Sequence, residues 1–292
     1  MNFLIEKQLD FVRGLYNRWM RRRDMKVPED VVYVPDVCQS ERCAETEKID
    51  VFYSRGTAEK RPVIVDIHGG GMVLCDRKTN VPFCAQLARR GFLVFSIEYP
   101  LAPQTDVPGI LRHVARRLDA VADLIPQWNG DERIYLVGDS AGAFLGAYEL
   151  AAQKNEDIAA ALDLTPSLLQ IRAAGFISGM FYTTRNDKNC MFLRRDFYGK
   201  NWKTHPFSPY YDPAVPAVAE NLPPCYLVTS YQDMLRQYTL DFARGLKACG
   251  IPYHVTDWPG NRKLIHDFVI MNPTCPEAQK SIDEMCKFLL QY

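Results

Sequence analysis

Hydrophobic positions change period several times along this chain. In the first twenty residues Leu4, Phe11, Leu15 and Trp19, with Ile5, Leu9, Val12, Tyr16 and Met20, recur three, four and seven apart, which predicts an amphipathic helix. "KVPEDVVYVP" breaks that helix at its proline and becomes extended. Short apolar runs and helical patterns then take turns. "KIDVFYSR" predicts a strand near the surface, and "RPVIVDIH", Arg61 to His68, a buried one. "NVPFCAQLARRG" predicts a helix ending at Gly91, the run from Phe92 a strand, and about Val107 to Ile125 a longer helix. "RIYLVG", "IRAAGFISG", "PCYLVTS" (Pro224 to Ser230) and "PYHVTDW" continue the strands, with helices after the first, around Tyr238 to Ala248, and from about Pro276. The alternation predicts an α/β fold whose mostly parallel sheet is covered by helices on both faces. Between about Phe181 and Glu220, aromatics, charges and prolines accumulate without a strand. That segment is expected to leave the βα series as a lid or cap.

Composition narrows the class. The 292 residues are 47% hydrophobic and 24% charged, ordinary for a soluble globular protein. Lys+Arg and Asp+Glu balance at 35 each, which argues against a nucleic-acid-binding surface. The basic run "RWMRRRDMK" (Arg18 to Lys26) reads as a solvated helix end. No run reaches the roughly eighteen apolar residues that a membrane span needs, and the opening residues lack a signal-peptide pattern. The nine cysteines include no C-x-x-C pair, Cys38 and Cys43 being the closest, and no zinc-ligand spacing. Most read as buried thiols of a reducing compartment, so a cytoplasmic protein without a metal is expected.

Candidate chemistry begins in "YLVGDSAGAFLGAYELAAQ", Tyr135 to Gln153. A predicted strand runs into Gly138-Asp139-Ser140-Ala141-Gly142, and a predicted helix follows. G-x-S-x-G in that setting suits a nucleophile, because the serine must sit on a tight turn with its hydroxyl exposed. Glycines leave room for the close strand–helix packing this imposes. A capping serine in an ordinary turn is the plainer alternative, and the flanking strand and helix favour the nucleophile. Upstream, His68-Gly69-Gly70-Gly71 follows a buried strand and exposes consecutive N–H groups. Such donors, aimed at a developing oxyanion, are worth about 2.7–4 kcal/mol each. No phosphate-loop pattern accompanies these glycines.

A base must come from five histidines. His68 belongs to the glycine loop and is expected to hold it in place. His113 lies in a helix, His205 precedes Pro206, and His254 sits inside a predicted strand. His266, in the loop "NRKLIHDF" after the last predicted strand, is the favoured base. Asp233, just beyond the strand ending at Ser230, is the favoured acid, with Asp257 as the alternative. The order Ser140, Asp233, His266 is that of α/β-hydrolases.

Together, HGGG, "EYPLAP" (Glu98 to Pro103), GDSAGA, "DML" and "HDF" resemble the hormone-sensitive-lipase-like group of α/β-hydrolase esterases, from about Val51 to the C-terminus. The resemblance implies an α/β-hydrolase fold and a catalytic triad of Ser140, Asp233 and His266. It implies oxyanion donors at the N–H groups of Gly70, Gly71 and Ala141, with His68 and Gly69 supporting their loop. It also implies an N-terminal cap helix and lead-in over 1–45, a hydrolase domain over 46–292, and a cap insertion at about 181–220. The expected substrate is a small carboxylic ester with a short or medium acyl chain, with no cofactor, and homodimer formation is left open. An amidase or formamidase, an esterase of acylated sugars, and a non-catalytic ligand-binding homologue remain alternatives. Three positions depart from the group. Met72 replaces a usual aromatic, which is expected to reshape the acyl pocket, and Ala143 replaces a usual glycine. Asp267 follows the base where a small residue is usual, and is expected either to favour the imidazolium or to point to solvent.

Overall fold

The computed structural model of the protein describes residues 14–16, 18–19, 25–39, 44–56, 59–187, 194–260 and 263–292. Its strands are β1 (Val31–Val37), β2 (Ile49–Ser54), β3 (Arg61–Ile67), β4 (Leu93–Ile97), β5 (Gly130–Asp139), β6 (Ala173–Ile177), β7 (Cys225–Ser230) and β8 (Tyr253–Trp258). They form one sheet in the order β1-β2-β4-β3-β5-β6-β7-β8. β2 runs antiparallel to both neighbours, and every pairing from β4 across to β8 is parallel. Five longer helices, α1 (Val81–Arg89), α2 (Val107–Leu124), α3 (Ala141–Ala152), α4 (Arg236–Ala248) and α5 (Pro276–Leu289), accompany the strands.

Alternation along each strand divides the core in two. Val63, Val65 and Ile67 of β3, with Leu93, Phe95 and Ile97 of β4, pack on the face shared with α2, α3 and α4. Ile64, Val94, Tyr135 and Val137 point the other way, toward α1 and α5. Burial on both faces explains why these strands read as unbroken apolar runs instead of alternating ones.

The segment between β6 and β7 contains no strand among the described residues, only short helical turns such as Arg194–Tyr198 and Pro216–Ala219. Its aromatics turn inward. Phe181 stacks on Phe242 of α4 with ring centroids 3.9 Å apart, Phe207 meets Tyr148 of α3 at 4.9 Å, and Tyr198 meets Tyr211 at 4.4 Å. They make this segment's own core, continuous with that of the sheet. Phe192 lies outside the described residues.

At the N-terminus, 14–16 and 18–19 are helical, with Leu15 and Trp19 exposed and the Tyr16 hydroxyl hydrogen-bonded to Thr79. The rest of the expected first helix, most of the basic run, and Cys43 lie outside the described residues. Cys84, Cys225 and Cys286 are buried free thiols, as expected, whereas Cys38 is disulfide-bonded. No helix among the described residues is long and apolar enough to cross a membrane.

Helix α3 is apolar nearly all round, as a helix buried against both sheet and helices must be, except for Glu149. That side chain is fully buried and neither oxygen has a hydrogen-bond partner. Burial, then repulsion from Asp119, pushes its carboxyl well above the ordinary range. The unfolded chain releases this proton near pH 4.3 or so, while the folded chain keeps it. Folding therefore loses stability as pH rises from that range toward the raised value. Glu149→Met is expected to stabilise the fold by about 1–3 kcal/mol, and more at pH 8 than at pH 5. Urea melts at the two pH values measure this, and a lower midpoint for the variant at pH 8 would contradict it.

Candidate active site

β5 ends at Asp139 and α3 begins at Ala141, so Ser140 alone turns the chain. Its backbone lies at φ 47°, ψ −110°, a conformation that persists only where the surroundings enforce it. Two bonds do so: Ser140 N–H donates to the Ile177 carbonyl, and Met180 N–H donates to that of Ser140, both at 2.8 Å. A Cβ on Gly142 would stand 1.9 Å from the Ile67 carbonyl oxygen. Only glycine lets α3 press this closely on the end of β3.

The loops after β7 and β8 are tied together by a bridge between Gln232 and Ile265 and by the Ser230 hydroxyl donating to the Leu264 carbonyl at 2.6 Å. The next residue on each loop is Asp233 or His266. Asp233 Oδ1 lies 2.8 Å from His266 Nδ1, and His266 Nε2 lies 3.1 Å from Ser140 Oγ. Asp233 Oδ1 also accepts from Leu235 N–H at 2.8 Å. Burial works against ionising Asp233, but its bond to His266, the imidazole's charge and further donors outweigh burial and hold the carboxyl below its usual range. The carboxylate fixes the proton on Nδ1 and leaves Nε2 facing the serine.

The glycine loop is anchored from below. His68 Nδ1 meets the Gly69 carbonyl at 2.8 Å, and Nε2 meets Glu98 Oε1 at 2.8 Å. Both partners accept, so the ring is a double donor. Burial disfavours its charge, yet Glu98 and the Gly69 carbonyl raise its pKa overall. Tyr99 stacks on the ring at 4.1 Å and donates to the His68 carbonyl. Glu98 Oε2 in turn accepts from Arg77, a fully buried guanidinium that also binds Asp50 at 2.9 Å and Asp36. Gly70 and Gly71, both at positive φ, continue the loop beside Ser140. Ala141 opens α3, where N–H groups lack partners within the helix.

These pieces surround a mainly apolar cavity of about 320 Å³. Gly69, Gly70, Gly71, Ser140, His266 and Asp267 reach it, and Val73, Leu74, Met180, Leu235 and Met271 supply its apolar wall. Met72 does not line it; at φ 59° its side chain turns into the main core, so the expected reshaping by Met72 is not found. The wall residues just beyond it, Val73 to Cys75, escaped the sequence reading, although the apolar run after HGGG marked them. Asp267 points inward, its Oδ2 3.1 Å from His266 Nε2.

The other candidates lie elsewhere. Asp257 is paired with Arg236 at 2.9 Å. His254 stacks on Tyr226, His113 meets the Thr46 carbonyl at 2.8 Å, and His205 accepts from Phe207 N–H. A larger cavity of about 550 Å³ opens at the N-terminal ends of the strands, between Lys60, Arg133 and Arg172. It brings no nucleophile to a base.

A model of the α/β hydrolase fold matches residues 64–270, the span from β3 to beyond His266. The chain belongs to that family. Esterase B of Lactobacillus rhamnosis superposes on this α/β hydrolase with a TM-score of 0.87, covering 98% of this chain and 95% of its own at 20% identity, a likeness of fold. A probable isoprenylcysteine alpha-carbonyl methylesterase of Oryza sativa subsp. japonica is 30% identical over 146 residues, 49% of this chain and 34% of that protein. Kynurenine formamidase of Danio rerio is 28% identical over 138 residues, 47% of this chain and 43% of the relative. The chain thus covers less than half the length of these two relatives.

Gly142→Ala is expected to destabilise this α/β hydrolase by about 3 kcal/mol, because the Ile67 carbonyl cannot retreat without breaking β3. An unchanged urea midpoint would show that α3 can shift at no cost.

Proposed function

We propose that the protein is a serine carboxylesterase of the hormone-sensitive-lipase-like group, hydrolysing carboxylic esters with short or medium acyl chains through an acyl-enzyme. The observation that carries this is the hydrogen-bonded chain Ser140–His266–Asp233 opening into an apolar cavity of about 320 Å³. His266 takes the Ser140 proton as the hydroxyl attacks the ester carbonyl, while Asp233 orients the ring and stabilises its charge. The N–H groups of Gly70, Gly71 and Ala141 receive the oxyanion, held there by His68 and Gly69. His266 then protonates the leaving alcohol, and water repeats the sequence on the acyl-enzyme. The cap helix within 1–45 and the insertion at about 181–220 cover the domain formed by 46–292, while the lead-in of 1–45 adds β1 to that domain's sheet. The Tyr16 hydroxyl, bonded to Thr79 on the cavity wall, supports the first of these.

A second reading has one observation in its favour. The kynurenine formamidase match raises a formamide as substrate, on the same triad.

Purified protein should turn over p-nitrophenyl esters from acetate to dodecanoate with a maximum at short chains, and Ser140→Ala should not. Wild-type turnover by Ser140→Ala would remove the assignment. Cleavage of an aryl formamide with no ester turnover would instead select the second reading. Glu98→Gln loosens the support of the glycine loop and is expected to lower kcat by up to about 10²-fold, with KM little changed. Steady-state kinetics with the preferred ester check this, and an unaltered kcat would show that the loop holds without the charge.

A further inference from the structure

Two buried carboxyl groups in the site stand outside the chain Ser140–His266–Asp233: Asp139, just before the serine, and Asp267, just after the histidine. Asp139 Oδ1 accepts from Asn80 Nδ2 at 2.8 Å, an amide it shares with Asp66. Asp267 holds a left-handed backbone, φ 56°, and its N–H donates to Ser178 Oγ at 3.2 Å. Its Oδ1 is buried without a hydrogen-bond partner, and its Oδ2 lies 3.1 Å from His266 Nε2.

Nε2 is the atom that must receive the serine proton, and it faces Ser140 Oγ and Asp267 Oδ2 at the same 3.1 Å. Nδ1 already donates to Asp233. A proton on Nε2 therefore makes an imidazolium with a carboxylate on each nitrogen. We propose that Asp267 is a second counter-ion of the base: its carboxylate, 3.1 Å from Nε2, holds resting His266 as the imidazolium by charge until the Nε2 proton is lost. This rests on the triad reading above.

The groups facing this pair come from every neighbouring element. Asp139 stands at the end of β5, with Asp66 and His68 behind it; Asp233 follows β7, Ser178 follows β6, and Cys75 belongs to the loop after the glycines. Burial pushes the Cys75 thiol up to about 12, so it is neutral. Burial and then repulsion by Asp267 push Asp139 well up, and burial also raises Asp267, against the pull of the His266 charge. Burial alone would discharge His266, but Asp267 and the bonds to Asp233 and Asp267 prevail and raise it well above the ordinary imidazole value. We place the shared proton on nitrogen, where Asp233 stabilises the ring from the far side.

The proton balance is simple. Hydroxide or a buffer base removes the Nε2 proton and leaves neutral His266 beside ionised Asp267. When Ser140 Oγ bonds to the ester carbonyl, its proton passes to Nε2, and the Asp267 carboxylate again lies beside the charged ring. The contact that suppresses the free base at low pH thus stabilises the imidazolium formed during attack. Asp267 then has two signatures, an acid limb displaced to alkaline pH and a higher plateau above it.

The test is kcat/KM for p-nitrophenyl butyrate from pH 5 to 10 with the full chain, its Asp267→Asn and Asp267→Gly variants, and Ser140→Ala. Glycine suits the left-handed backbone, so at least one variant is expected to fold. The wild-type limb should lie alkaline of about 6.5, and both variants should move it down by about one to three pH units, with a lower plateau kcat. ¹⁵N NMR should find His266 doubly protonated at pH 7 in the wild type and neutral in Asp267→Asn. A limb unmoved in both variants, or a neutral His266 in the wild type at pH 7, overturns the proposal. If Ser140→Ala is inactive, that failure touches Asp267 alone; turnover surviving in Ser140→Ala overturns the triad reading and this proposal with it.

Discussion

Everything in the site follows from how closely helix α3 lies against the end of β3. The missing side chain at Gly142 brings the helix onto the Ile67 carbonyl, and this leaves a single residue to join β5 to α3. That residue is forced into a conformation that lifts its hydroxyl above the sheet. The same contact sets α3's first N–H groups beside the glycine loop, because that loop begins where β3 ends. Ser140 and the N–H groups beside it are thus placed by one packing distance, and the loops after β7 and β8 need only reach the same edge.

Buried charge does the second share of the positioning. Arg77, Glu98 and His68 form a continuous path from below the sheet edge to the Gly69 carbonyl. Removing Glu98 would strip the buried His68 ring of its carboxylate, which costs more than never having buried the pair. Such a path is a poor source of net stability but a strict specification of geometry. It fixes a glycine-rich loop that would otherwise be the most mobile part of the site.

Much of this was legible before any coordinates. The strands from β2 to β8 stand within a few residues of their apolar runs, because strands buried on both faces leave no ambiguity of period. Ser140, Asp233 and His266 meet because each follows a parallel strand, and parallel strands deliver their C-terminal loops to one edge. What sequence did not carry were side-chain directions. Asp267 was open between two orientations, and a left-handed backbone turned it to Nε2. Met72 was expected at the acyl pocket, yet its positive φ sends the side chain into the core. Nothing in the sequence marks Glu149 as buried, yet sheet and helices close over it. The disulfide at Cys38 had no spacing signal to announce it.

The hydroxyl and the imidazole are 126 residues apart in the chain, and the strands between them join the sheet one beside the next. Bringing such distant segments together costs loop entropy before any contact rewards it. A refolding chain can therefore regain its helices and much of its apolar core while His266 is still unplaced. The contacts of His266 with Asp233 and Ser140 form only when β8 docks and the following loop settles on β7. If the proposed function holds, recovered turnover would then report the docking of β8, separately from the helix content that far-ultraviolet circular dichroism reports.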